Sequence, residues 1–245
     1  MELHPVDYLF SRLEAEFVSY PPGVVRVPKL IPGTAFFPGG YGLWGAGPER
    51  PLPAIPTGGV MVLGHNFDSE KGFSDSLERR GENLNGPTWG PLLPLLELGG
   101  IPKERCFFTN FYMGLFQGAN SVGRFPGARD SHFVQQCQIF LGEQMRVVKP
   151  RLLLTLGKEI LRPVAALSSD LGSWSEMESL EMLDRRKRAL VYPATFPGVP
   201  HSVAVVALTH PAFRHLNVPR RRYKTLSGDA AEQAMLKDAL DKISM

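Results

Sequence analysis

The sequence predicts a three-layer α/β/α fold on a central four-stranded parallel sheet. Short apolar runs recur at 60–64, 106–110, 151–156 and 203–208. Helix-compatible stretches separate them, as parallel strands require, because the chain must cross back before it can pair again. The runs are mostly apolar rather than alternating, the pattern of strands covered on both faces.

Taken in order, residues 6–19 place Leu9, Phe10, Leu13 and Phe17 at helical spacing. Residues 20–59 are dense in proline and glycine, which discourages regular structure. Phe36, Phe37, Tyr41 and Trp44 argue that this arm packs on the domain, along the rim of a pocket. After the strand at 60–64, a charged, Gly- and Asn-containing loop covers 65–88 and a short helix covers 91–98, ended by Gly99-Gly100. The strand at 106–110 leads through a loop, 111–128, to a helix at 129–148. That helix carries an apolar stripe, has Asp130 in its first turn, and stops at Pro150. Residues 158–167 are helical after the strand at 151–156, 168–200 are a polar and basic segment, and a helix from about Ser227 packs through Met235, Leu236, Ala239, Leu240 and Ile243. One domain is expected over 1–245: the N-terminal helix and arm (1–59), a core (60–225) and the C-terminal helix (226–245).

Composition narrows the function. With 43% hydrophobic and 21% charged residues the chain has material for a core. A net charge of +3 permits a nucleic-acid partner without demonstrating one. Cys106 and Cys137 are read as buried thiols of a reducing compartment. No run approaches the roughly 20 apolar residues of a membrane span, and the N-terminus lacks a signal-peptide pattern, so a cytoplasmic monomer is expected. GxGxxG, GxxxxGK[ST], GxSxG and HExxH are absent, which removes the common phosphate-binding, hydrolase-elbow and zinc readings. No metal and no cofactor are expected.

The informative feature is what stands at the strand ends. The first ends in Gly64-His65-Asn66-Phe67-Asp68, the second in Asn110, the third in Gly157-Lys158, and the fourth in Thr209-His210-Pro211. In open parallel sheets that end is where ligands bind. Each residue also has an ordinary reading. Asn66 and Asp68 are common turn formers, Asn110 a cap, Trp89 a core residue, and Arg220-Arg221-Arg222 with Lys224 a solvated face.

The ordered set resembles the uracil-DNA glycosylase superfamily over roughly residues 60–225. Gly64-His65-Asn66 is similar to the family's first motif in the branches that carry Asn, with Phe67 where proline is usual. Asn85-Gly86-Pro87-Thr88-Trp89 resembles the segment whose aromatic stacks on a flipped base. Thr109-Asn110, the strand ending at Gly157, and Thr209-His210-Pro211-Ala212-Phe213-Arg214 follow in the family's order. A branch without an iron-sulfur cluster is implied.

The resemblance implies excision of uracil from single- or double-stranded DNA by base flipping and hydrolysis of the N-glycosidic bond. Asn66, His210 and Asp68 are the catalytic candidates. His210 would donate to uracil O2, and Asn66 would hold the water, with Asp68 the alternative as its base. Gly64, His65, Trp89 and Asn110 would bind the base, Trp89 by stacking and Asn110 by pairing with the uracil edge. Phe213, Arg214, His215 and Leu216 form a wedge, and Arg220, Arg221, Arg222 and Lys224 would hold phosphates. The competing reading is a protein on the same fold that binds uracil or another lesion in DNA without cleaving it.

Overall fold

A computed structural model describes residues 3–48, 51–81, 83–121 and 123–244. Its strands are β1 (Val60–Asn66), β2 (Cys106–Tyr112), β3 (Leu152–Leu156), β4 (Leu190–Ala194) and β5 (Val203–Leu208). They form one five-stranded sheet in the order β2-β1-β3-β5-β4. Four of the five run parallel, and β4 pairs antiparallel with β5 at the edge.

The helices are α1 (Pro5–Glu16), α2 (Glu70–Glu78), α3 (Trp89–Leu98), α4 (Ser131–Val148), α5 (Leu161–Ala165), α6 (Leu180–Arg185), α7 (Arg214–Asn217) and α8 (Gly228–Ile243). The chain leaves β1 for β2 in one direction and returns past β1 to β3 in the other. Right-handed crossovers therefore put α3 on one face of the sheet and α4 on the opposite one. Contacts agree: α1 and β2 pack against α4, α8 packs on β5, and Gly99 at the end of α3 adjoins Leu236 of α8.

Local chemistry explains the helix limits. The His4 side chain accepts the Val6 N–H at the start of α1, with Pro5 at its first position. Asp130 is the N-cap of α4 rather than a first-turn residue; its carboxylate accepts the Phe133 N–H at 2.9 Å. Lys149 ends α4 in the left-handed region at φ 47°, and Pro150 follows.

Three expectations are corrected. The sheet has a fifth strand, β4, inside the polar segment 168–200. Val191 and Ala194 are buried while Tyr192 and Pro193 are exposed, and Pro193 is tolerated because β4 lies at an edge. That same segment also holds a 3-10 turn (Ser169–Glu176) and α6. The loop expected at 65–88 contains α2, capped by Ser69, whose hydroxyl accepts the Gly72 N–H at 3.1 Å. Only Phe73 of α2 is buried, so charge masked its periodicity.

The Pro/Gly-rich arm is irregular and packed. Phe37 N–H donates to Phe108 O at 3.0 Å, and Phe108 N–H donates to Gly42 O at 2.8 Å. The arm thus satisfies the outer edge of β2, which would otherwise present unpaired backbone groups. Phe37 is fully buried, and the hydrophobic core extends from Val6 to Ala239.

Candidate active site

Parallel strands end together, and the reversal of winding between β1 and β3 opens a crevice there. A cavity of about 370 Å³ occupies it. Gly64, His65, Asn66, Asp68, Trp89, Asn110 and His210, all selected from sequence, line this one cavity.

Strand register brings two of them side by side: Gly64 on β1 pairs with Asn110 on β2. A Cβ at position 64 would overlap the Asn110 side-chain oxygen, so glycine is what lets that amide lie across β1. Asn110 is 4% exposed, and its side-chain amide makes no hydrogen bond to another described residue. Its donors and acceptor remain available to whatever enters.

His210 follows β5. Its Nδ1 accepts the Ala212 N–H at 3.3 Å, which leaves the proton on Nε2. Burial, and secondarily the nearby His65, push its pKa down to about 4. At neutral pH it is therefore an uncharged ring with an Nε2–H to donate. Burial also lowers the pKa of His65, opposed by its hydrogen bond to Asn66. His65 Nδ1 lies 2.8 Å from Asn66 Oδ1, so the neutral ring donates there and fixes the orientation of the Asn66 amide. Tyr112 meets the His65 ring edge-on at 5.1 Å.

Asp68 is more tightly committed to the protein. Its Oδ1 accepts the Ser69 N–H at 2.7 Å, and its carboxylate packs so closely on Gly72 that a Cβ there would overlap it. It clasps the end of β1 to the first turn of α2.

The aromatic wall differs in detail from expectation. Trp89 lines the cavity but is 2% exposed, with the rings of Phe36, Phe108 and Trp44 centred 4.9, 5.2 and 5.4 Å away. Phe36 lines the same cavity, in keeping with an arm along the pocket rim, and so do residues not among the expected site residues: the half-buried Phe67, Ser76 of α2 and Arg79 just after it. The signal for Phe36 is the aromatic density of the arm; α2 gives none, because its one buried residue, Phe73, leaves no apolar stripe.

Outside the cavity, Phe213 is 53% exposed with its ring 5.6 Å from that of His210, and Leu216 is 59% exposed. His215 is exposed too. Arg220, Arg222 and Lys224 are exposed, with Arg220 3.7 Å from Glu181 and Lys224 2.6 Å from Asp238.

Two of the expected DNA contacts are corrected: Arg214, expected in the wedge, and Arg221, expected to hold phosphates. Arg221 is 1% exposed and bridges Asp184, at 2.9 and 3.0 Å, to Glu232, at 2.6 Å. Arg214 is 8% exposed and pairs with Glu232 and Asp229. Burial disfavours the Arg214 charge, but the two carboxylates outweigh it, and the pKa is raised. Neither guanidinium reaches a phosphate from these positions.

No curated protein matches the chain in a sequence search. The sequence model of the Uracil DNA glycosylase superfamily matches residues 61–238, from the first strand of the sheet to the C-terminal helix, and takes in every residue of the cavity except Phe36. On that match, and with a largely parallel sheet whose strand ends carry this set of side chains, the chain belongs to the uracil-DNA glycosylase superfamily.

Proposed function

We propose that the protein removes uracil from DNA by hydrolysing its N-glycosidic bond. Superfamily membership supports the coarser half, a glycosylase acting on a base in DNA. The choice of uracil rests on the cavity. One observation carries the reading: a neutral histidine donor, His210, and an uncommitted amide, Asn110, line the same open cavity.

Cleavage leaves negative charge on the departing base. The His210 Nε2–H is a preorganised donor for that charge at uracil O2, and such a donor contributes roughly 3–4 kcal/mol. Being uncharged before reaction, it favours the anion over the neutral base, which is the difference that accelerates the step. Asn110 offers an acceptor to N3–H and a donor to O4. Cytosine carries the opposite groups at both positions, so a fixed amide rejects it. The flipped base lies against the wall of Trp89, Phe36 and Phe67.

Water is held by Asn66, whose amide His65 orients. Asn66 takes no proton: with the leaving group well stabilised orientation is sufficient, and as the water oxygen bonds the anomeric carbon its proton passes through solvent to the departing uracil anion. Asp68 is the less suitable base because its Oδ1 accepts the Ser69 N–H and its carboxylate is wedged against Gly72 of α2. Phe213 and Leu216 supply exposed apolar surface beside His210 to fill the gap in the duplex, and Arg220 and Arg222 face the phosphates.

The test is incubation with single- and double-stranded oligonucleotides carrying one uracil, followed by alkali. Strand scission at that position is expected. A shifted band without scission sinks the reading and leaves a non-cleaving binder.

A further inference from the structure

We propose that Glu232, on α8, is a positioning residue that sets His210 in place by holding both ends of the His210-Pro211-Ala212-Phe213 turn. This rests on the donor role given to His210 above.

Glu232 is fully buried, and its two carboxylate oxygens are divided between the flanks of that turn. Oε1 accepts the Thr209 N–H at 2.7 Å, immediately before His210. Oε2 accepts from Arg214, immediately after Phe213. Oε1 also takes Arg221 Nη1 at 2.6 Å, and Arg221 continues to Ala207 O on β5 at 2.9 Å and to Asp184 on α6. One carboxylate therefore ties the last residues of β5, the turn and α7 to α8.

The charges balance locally. Glu232 and Asp184 face Arg214 and Arg221, and Asp229 adds a solvent-side partner. Burying such a set is costly compared with apolar packing, so it is weak as a stabilising device. Its use is geometric. Charge-assisted hydrogen bonds are short and directional, and a buried carboxylate saturated by three donors has little freedom to move. The His210 backbone begins one residue from the first of those bonds. A displacement of about 1 Å at a reacting group is enough to cost on the order of 100-fold in rate.

Glu232→Gln keeps an oxygen for one of these donors and removes the charge. Single-turnover excision should slow roughly 10- to 100-fold, with affinity for an uncleavable uracil oligonucleotide changed by less than about two-fold. In a His210→Ala background the same substitution should cost less than about three-fold, because there is no imidazole left to misplace. Equal losses in both backgrounds, or affinity falling in step with rate, would overturn the proposal. Nitrogen-15 NMR of the His210 ring at pH 7 gives a readout that needs no turnover: one Nε2-protonated species in the wild type, a shifted or mixed population in Glu232→Gln. Unchanged ring resonances would overturn the proposal as well. Absence of excision by the wild type, by contrast, counts against the glycosylase reading alone, and the NMR comparison still decides on Glu232. Should Glu232→Gln fail to fold, Arg214→Gln releases only the far end of the turn and is judged by the same readouts.

Discussion

Gly157 makes room for His210. It ends β3 at φ +93°, and a Cβ there would stand 3.1 Å from His210 Cβ. Two costs meet at this position. A non-glycine residue at that φ is strained by roughly 1–3 kcal/mol, and the added methyl presses on the donor itself. Gly157→Ala should lower the free energy of urea unfolding by an amount in that range. It should also slow single-turnover uracil excision more than ten-fold in molecules that remain folded. Full activity in a destabilised Gly157→Ala protein would mean that the contact does not hold the imidazole in place.

How far the sequence reveals this arrangement depends on the kind of residue. β5 is legible because all six of its residues are buried and apolar. β4 is not, because a five-residue edge strand that buries only Val191 and Ala194 has the composition of a loop. His65, Asn66, Asn110 and His210 are legible because polar groups that close apolar runs stand in or just past the C-terminal part of a strand, and parallel strands bring those parts together. Phe36 escapes this logic: it reaches the cavity from an irregular arm whose course along β2 is set by backbone hydrogen bonds, not by side-chain periodicity. Arg221 misleads for another reason. In sequence it is one of three adjacent arginines. Its burial depends on Asp184 and Glu232, 37 and 11 residues away, and only the fold brings them together.

The depressed pKa of His210 predicts how stability and activity respond to acid. The unfolded chain takes up this proton near pH 6.5 and the folded protein only near 4, so between these values the unfolded state binds more protons. Stability contributed by neutral His210 is complete above pH 6.5 and lost as the pH falls toward 4, amounting to about 2–3 kcal/mol by pH 4.5. His210→Asn should remove that part of the acid sensitivity, read as a smaller difference between urea unfolding free energies at pH 7 and 4.5. Excision by the wild type should show no rise as the pH is lowered from 8 through 6.5. A rate that climbs with a midpoint near 6.5 would identify an imidazolium as the active form.

Asn66 and Asp68 are two residues apart yet differently employed, and their alanine variants should diverge. Asn66→Ala removes the amide that His65 holds toward the cavity and should reduce single-turnover excision roughly 100-fold, with little change in stability. Asp68→Ala removes the clasp on Ser69 and α2. It should cost about 1 kcal/mol in stability and less than ten-fold in rate. The reverse order in rate would make Asp68 the base that activates water.

The arginine run should split into two kinds of variant. Arg220 and Arg222 are exposed; among the described residues the first has only a 3.7 Å contact with Glu181, while the second donates to the carbonyls of Pro219 and Arg221 through Nη1. Replacing both with glutamine should weaken binding to all DNA sequences alike and flatten the dependence of log affinity on log salt by up to about two. Lys224 adds less, since Asp238 already engages it. Arg221→Gln should behave in the opposite manner. It leaves Asp184 and Glu232 buried without their shared cation, a loss of about 3–5 kcal/mol, and the salt slope of whatever folded protein remains should be unchanged. Urea unfolding and fluorescence titration at several salt concentrations separate the two outcomes. A flattened salt slope in Arg221→Gln with normal stability would return this arginine to the DNA surface.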